Sequence, residues 1–276
     1  MNSVGLALVL VLAFCCVGAA SALIVPERRT PALLAWSGSL AALSGMCAAG
    51  IVLDGGQFHA TLWTIAPLGT IGISLDRLSA FFLLIAAVVV LASSVFSASY
   101  MKRYQGHYKL STFTAWYLLL FASITWILIA NEVLGFLLAW EAMSILSYLL
   151  VNFEHQRDDT KRAGYLMLAM GEAGFVAVEV VFLFLAIRAG SLDFSALKSA
   201  ATGLGPVTRW MVFVLTFFGF GVKAGLAPVN TWLPRAHPAA PANVSAILSG
   251  VILNLGLYGI VQINLDLVPV RMIEQA

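Results

Sequence analysis

Three carboxylates and one lysine stand where a lipid-embedded chain has least use for charge. Lys223 closes an apolar run in GVKAGLAPVNTWLP (221–234), and Glu141 sits inside FLLAWEAMSILSYLL (136–150). Glu172 and Glu179 are seven residues apart, two turns along one helix face, with Gly171 and Gly174 beside the first. Ionisable groups at membrane depth are costly, seek partners, and mark proton or ion pathways. A central lysine costs roughly 2.5–3.5 kcal/mol on the insertion scale, and each Leu, Ile, Phe or Val returns roughly 0.3–0.6 kcal/mol. Residues 210–226 hold nine of these four types, so gain and cost nearly cancel. The segment can therefore insert, and its ammonium will look for a partner in the bundle.

Glu141 is the natural partner, because an unpaired carboxylate in that setting is strongly disfavoured. Ser144 and Tyr148, at i+3 and i+7, make the same face polar enough to hold water. Two plainer readings stand beside this one: Lys223 snorkels to an interface, or the pair only glues two helices together. Pro228 removes a backbone hydrogen bond just after Lys223, which predicts a broken helix there, and Pro234 extends the irregular stretch towards Pro238 and Pro241. Irregular backbone at membrane depth persists only where protein buries it or water fills the gap. Glu172 and Glu179 either extend a proton path or pair with Arg188. Asn254, in SGVILNLGLYGI (249–260), can bond to water or to a neighbouring helix but cannot carry a proton as charge.

These residues need helices to hold them. Of 276 residues 61% are hydrophobic and only 10% charged, which excludes an ordinary soluble domain and predicts an all-α, polytopic transmembrane bundle. Apolar stretches of spanning length fall near 2–25, 31–53, 78–98, 112–130, 133–152, 163–187, 208–227 and 242–263, about eight helices with the seventh broken. The first is read as a spanning helix rather than a leader, since it lacks a basic start. Residues 54–77 carry Gly55-Gly56, Pro67, Gly69 and Gly72 among β-prone pieces, which predicts a small extramembrane hairpin between the second and third helices. Asp76 is placed to cap the third. The chain divides into 1–110 (helices one to three with the hairpin), 111–263 (helices four to eight) and a tail, 264–276.

Basic residues are spread between the segments rather than gathered in a patch, so nucleic-acid binding has no support. Arg28, Arg29, Lys102, Arg103, Lys109, Arg157, Lys161, Arg162 and Arg235 fall in alternate connections; Arg77, Arg188, Lys198, Arg209 and Arg271 fall in the others. Nine against five assigns the first set to the cytoplasm and both termini to the outside. Cys15, Cys16 and Cys47 form no metal-ligand spacing and are expected to pack in the apolar interior.

LAWEAMSILSYLLV (138–151), GFGVKAGLAPVNTWLPRAHPAAPANVSAILSGVILNLGLYGI (219–260) and DRLSAFFLL (76–84) closely resemble the antiporter-like proton-translocating subunits. That family covers the membrane arm of NADH-quinone oxidoreductase, multisubunit sodium/proton antiporters, and formate hydrogenlyase and other energy-converting hydrogenases. The wording KAGLAP and RAHPAAP looks most like the large membrane subunit of the hydrogenase branch. The resemblance runs from about residue 70 to 263. It implies inverted five-helix repeats with broken helices, of which this chain carries the first. Its key pair falls on Glu141 and Lys223, with Lys223 gaining and losing a proton as the carboxylate moves towards or away from it. It also implies a multi-pass protein of the prokaryotic inner, that is plasma, membrane that works with other membrane and peripheral subunits of a redox complex.

No catalytic set, metal site or cofactor is expected in this chain; the redox chemistry belongs to its partners. Many relatives carry a lysine or histidine where Asn254 stands and a histidine where Asn230 stands. The chain ends soon after the eighth helix, so a complete path needs the other half from elsewhere. Two further functions stay open, a non-pumping structural anchor and a cation/proton antiporter component.

Overall fold

A computed structural model describes residues 3–65 and 69–268. The helices α1 (Ser3–Ala22) and α2 (Thr30–Leu53) lead to an antiparallel hairpin, β1 (Phe58–Ile65) and β2 (Gly69–Leu75). The helices α3 (Arg77–Tyr100), α4 (Leu110–Ile129), α5 (Val133–Val151) and α6 (Asp158–Ala189) follow, then the short α7 (Phe194–Ala201). Next come α8 (Pro206–Lys223) and α9 (Leu233–Ala239). The last span joins α10 (Ala242–Ile247), a π-helical turn (Leu248–Ile252), α11 (Leu253–Val261) and a second π-helical stretch (Gln262–Leu267). Eight of the described helices are long and apolar enough to cross a membrane, in agreement with the count read from the sequence. The expected hairpin between the second and third helices is present. Pro67 and Arg271 lie outside the described residues, as does the tail beyond residue 268.

Helix starts are set by carboxylates. Asp76 has extended backbone and accepts from the Ser79 amide at 2.7 Å, as expected for α3. Glu132 does the same for α5, accepting from the Gly135 amide at 2.6 Å. The start of α4 is held from a distance: Glu27 accepts from the Leu110 amide at 2.8 Å and from the Ser111 hydroxyl at 2.7 Å. Each places negative charge on the free amides of a first turn. Asp158 and Asp159 act likewise in α6, which begins five residues before its expected start.

The connections gather at two ends. At one, the Asn131 amide bonds to Gly72 O in the hairpin, the Phe194 amide to Asn131 O, and Lys198 to Asp266. At the other, Tyr104 donates to Glu154 at 2.7 Å, Gln105 reaches Arg28 O, and the Ala242 amide reaches Tyr100. The arginine- and lysine-rich connections thus share this second end. Between the ends, large apolar side chains such as Leu6, Val17, Trp36, Val95 and Ile187 face outward, the surface a helix bundle offers to lipid. Of the three cysteines only Cys15 packs inside; Cys16 and Cys47 face outward, contrary to expectation, because they fall on the outer stripes of α1 and α2.

Candidate functional site

The helix carrying Lys223 stops at that residue, four short of its expected end. The stop comes from Gly225, not Pro228. Gly225 adopts φ +68°, its amide bonds to Val222 O at 3.2 Å, and the Leu226 amide bonds back to Gly221 O at 2.9 Å. This is the Schellman arrangement, in which a left-handed glycine closes the last turn and satisfies its free carbonyls. Trp232, 2% exposed, adds an indole N–H to Val222 O at 2.8 Å. The expected roles of the prolines shift accordingly. Pro228 lies five residues past the stop, and Pro234 sits in the first turn of α9, where a missing amide costs nothing.

Lys223 itself is buried, at 6% exposure, which removes the snorkelling alternative. A Cβ added to Gly171 would stand 3.7 Å from its Nζ, so this glycine makes the space for the ammonium. Gly171 is the fourteenth residue of the 32-residue α6. The ammonium therefore lies roughly 20 Å along the axis from one end of that helix and roughly 27 Å from the other. The α6–α8 crossing is equally close: a Cβ on Gly174 would lie 2.7 Å from Gly219 O, and one on Gly219 would lie 2.6 Å from Gly174 O. Small residues let two helix backbones meet in this way.

The direct partner of Lys223 is Ser144, which accepts from Nζ at 2.8 Å. No ion pair within 4.0 Å joins Lys223 to Glu141 among the described residues; a serine stands where the sequence placed a carboxylate. Glu141 and Glu172 nonetheless flank the ammonium, close enough to each other and to it to interact electrostatically. Each carboxyl keeps one buried oxygen, Oε1, without a hydrogen-bond partner. Glu179 acts on Glu141 from farther along α6. Arg188, offered as its alternative partner, donates to Gly203 O instead, at 3.1 Å.

Asn254 is turned to its own helix, donating to Gly250 O at 2.8 Å. The structure thus brings together Glu141, Glu172, Lys223 and Ser144, with Glu179 behind them. Ser144 was legible as the polar neighbour of Glu141 but not as the lysine's acceptor; the three-residue spacing carried only part of that signal. Trp232 gave no signal at all. Among the described residues no group of three or more His, Cys, Asp and Glu is placed to hold a metal.

A bundle of membrane-length helices, one of them interrupted beside a buried lysine and two carboxylates, defines an ion-path membrane protein. The chain belongs to the NADH:quinone oxidoreductase/Mrp antiporter transmembrane family, whose profile matches residues 130–275. It is 35% identical over 225 residues to hydrogenase-4 component B of Escherichia coli (strain K12), covering 79% of this chain and 33% of that one. It is 29% identical over 182 residues to NAD(P)H-quinone oxidoreductase chain 4-3 of Nostoc sp. (strain PCC 7120 / SAG 25.82 / UTEX 2576), covering 66% and 32%. The fold is similar to a chain of the membrane-bound sulfane sulfur reductase, an archaeal respiratory membrane complex, with a TM-score of 0.76, 24% identity, and coverage of 91% and 39%. The chain spans about a third of the length of the curated relatives it matches.

Proposed function

We propose that this chain is part of a proton-translocating membrane subunit of a multisubunit redox complex of the hydrogenase or NADH dehydrogenase type. Lys223 is the proton carrier. The observation that carries the reading is its setting: a buried ammonium at the end of a broken helix, held by one hydroxyl, between two carboxyls that each retain an unpartnered oxygen. Such a group has two places to go. With Glu141 or Glu172 swung onto it the charge is compensated; with the carboxylates turned away only Ser144 remains, and the neutral amine is favoured. Electron transfer in partner subunits drives the alternation, because this chain supplies charge and position rather than redox chemistry. The arginine- and lysine-rich end faces the cytoplasm of a prokaryotic plasma membrane, and both termini lie outside.

The test is Lys223→Ala in the native complex, assayed in inverted membrane vesicles with donor oxidation and vesicle acidification followed together. Electron transfer persists and coupled acidification falls at least tenfold. Acidification at the wild-type ratio to electron transfer would sink the proposal.

A further inference from the structure

A second polar site lies at the arginine-rich end, where the start of α6 meets α9. A cavity of about 510 Å³ opens there, its walls carrying Arg157, Asp159, Thr160 and Arg162 from the α6 side and Pro234 and Arg235 from α9. Three guanidiniums face one carboxylate, and Arg157 also leans on Glu154 at 3.4 Å. Guanidinium stays charged and its planar fork matches the oxygens of a phosphate. The start of α6 has no side-chain cap, so first-turn amides remain available to an anion. An independent observation points the same way. Thr160 is 1% exposed, yet its hydroxyl oxygen has no hydrogen-bond partner among the described residues. A buried hydroxyl normally finds a partner, and this one lines a cavity rich in positive charge.

We propose that this cavity binds a phosphate group, held by Arg162 and Arg235 across the gap with Thr160 and the α6 amides beneath. A phospholipid headgroup and free phosphate share that chemistry. Either would bridge α9, the second half of the broken helix, to the helix that carries Glu172. The site does not depend on the proton-carrying role of Lys223.

The experiment uses the full natural polypeptide purified from its own membranes. It is offered phosphatidylglycerol in phosphatidylcholine nanodiscs, or inorganic phosphate, with bound phosphorus per chain and thermal midpoint as readouts. Arg162→Gln with Arg235→Gln weakens binding at least about tenfold, the loss of charge-assisted hydrogen bonds. Thr160→Val, which keeps the volume, weakens it several-fold. Arg28→Gln with Arg29→Gln, removing equal charge from the same end outside the cavity, leaves it unchanged. A variant-sensitive response to phosphatidylglycerol alone identifies a lipid occupant; one that inorganic phosphate also produces identifies the free anion. Equal binding by wild type and the Arg162/Arg235 double variant overturns the proposal, as does an equal loss in the Arg28/Arg29 control.

Discussion

The block formed by α1 to α4 and the block formed by α5, α6, α8 and α11 use the same packing device for opposite ends. In both, small residues bring backbones together: Gly18 against Ser37 and Leu118 in the first, Gly174 against Gly219 in the second. The first block then closes every polar account. Its buried hydroxyls bond locally or across helices, as Thr125 does to Phe121 O at 2.9 Å and Ser94 to Tyr117 at 3.2 Å. Among the described residues, the buried side-chain oxygens and nitrogens without a partner belong to Glu141, Asn152, Thr160, Glu172 and Gln262. None lies in α1 to α4. Close packing there makes a rigid wall, whereas in the second block it makes a gap beside Gly171 that holds a charge. The difference teaches that unsatisfied polarity is concentrated where groups must change partners, since an unpartnered buried group is too costly to be scattered at random.

The largest effect after loss of Lys223 itself is expected at the α6–α8 crossing. Gly174→Leu sets side-chain atoms against the backbone oxygen of Gly219, which no rotamer relieves, so the two helices must separate and Lys223 must leave Ser144. Coupled acidification falls at least tenfold, while hydrogen exchange in α1 to α4 stays at its wild-type level. Simultaneous loosening of both blocks would break the comparison, because the wall would then not be independent of the gap.

How much of this could be read in advance follows from the range of each interaction. Span count, the hairpin and the Asp76 cap were legible, because apolar run length and capping are local properties of the chain. Lys223 and Glu141 were legible as well, since a charge inside an apolar run stands out wherever it lies. The stop at Gly225 was there to be read in KAGLAP, but the proline drew attention from the glycine that ends the turn. The remainder is long-range. That Ser144, not Glu141, accepts from Lys223, and that Glu27 caps α4 more than eighty residues away, depends on how helices rotate against one another. Single-sequence periodicity does not fix that rotation.

A smaller effect on the same site is expected from Ser144→Ala. It removes one hydrogen bond to an ammonium, about 1.5–3 kcal/mol where the group is charged, and leaves Glu141 and Glu172 in place. Acidification relative to electron transfer drops several-fold rather than vanishing, and Ser144→Thr restores most of it. If Ser144→Ala were as severe as Lys223→Ala, the hydroxyl itself would lie in the proton's route. In the other block, Gly18→Leu meets Ser37 Cβ at 2.7 Å and Leu118 Cδ1 at 2.8 Å. Overpacking of that kind costs about 1–3 kcal/mol. It lowers the thermal midpoint and the yield of folded protein while the acidification ratio of the surviving molecules is unchanged.

The smallest effect, and the sharpest test of where the second block ends, is expected at Asn254. Its amide is half-buried on α11 and already spends a donor on Gly250 O, one turn back in the same span. Replacement by Leu removes an interaction worth about 0.6 kcal/mol on the membrane-protein average and frees a carbonyl that the π-helical turn at 248–252 can accommodate. Acidification per electron is therefore expected to stay within about twofold of wild type, measured in the same vesicles as Lys223→Ala. A tenfold loss would mean that water ordered by this amide is part of the route. The gap beside Gly171 would then extend across α8 into α11, and the boundary between wall and path would have to be redrawn to include that helix.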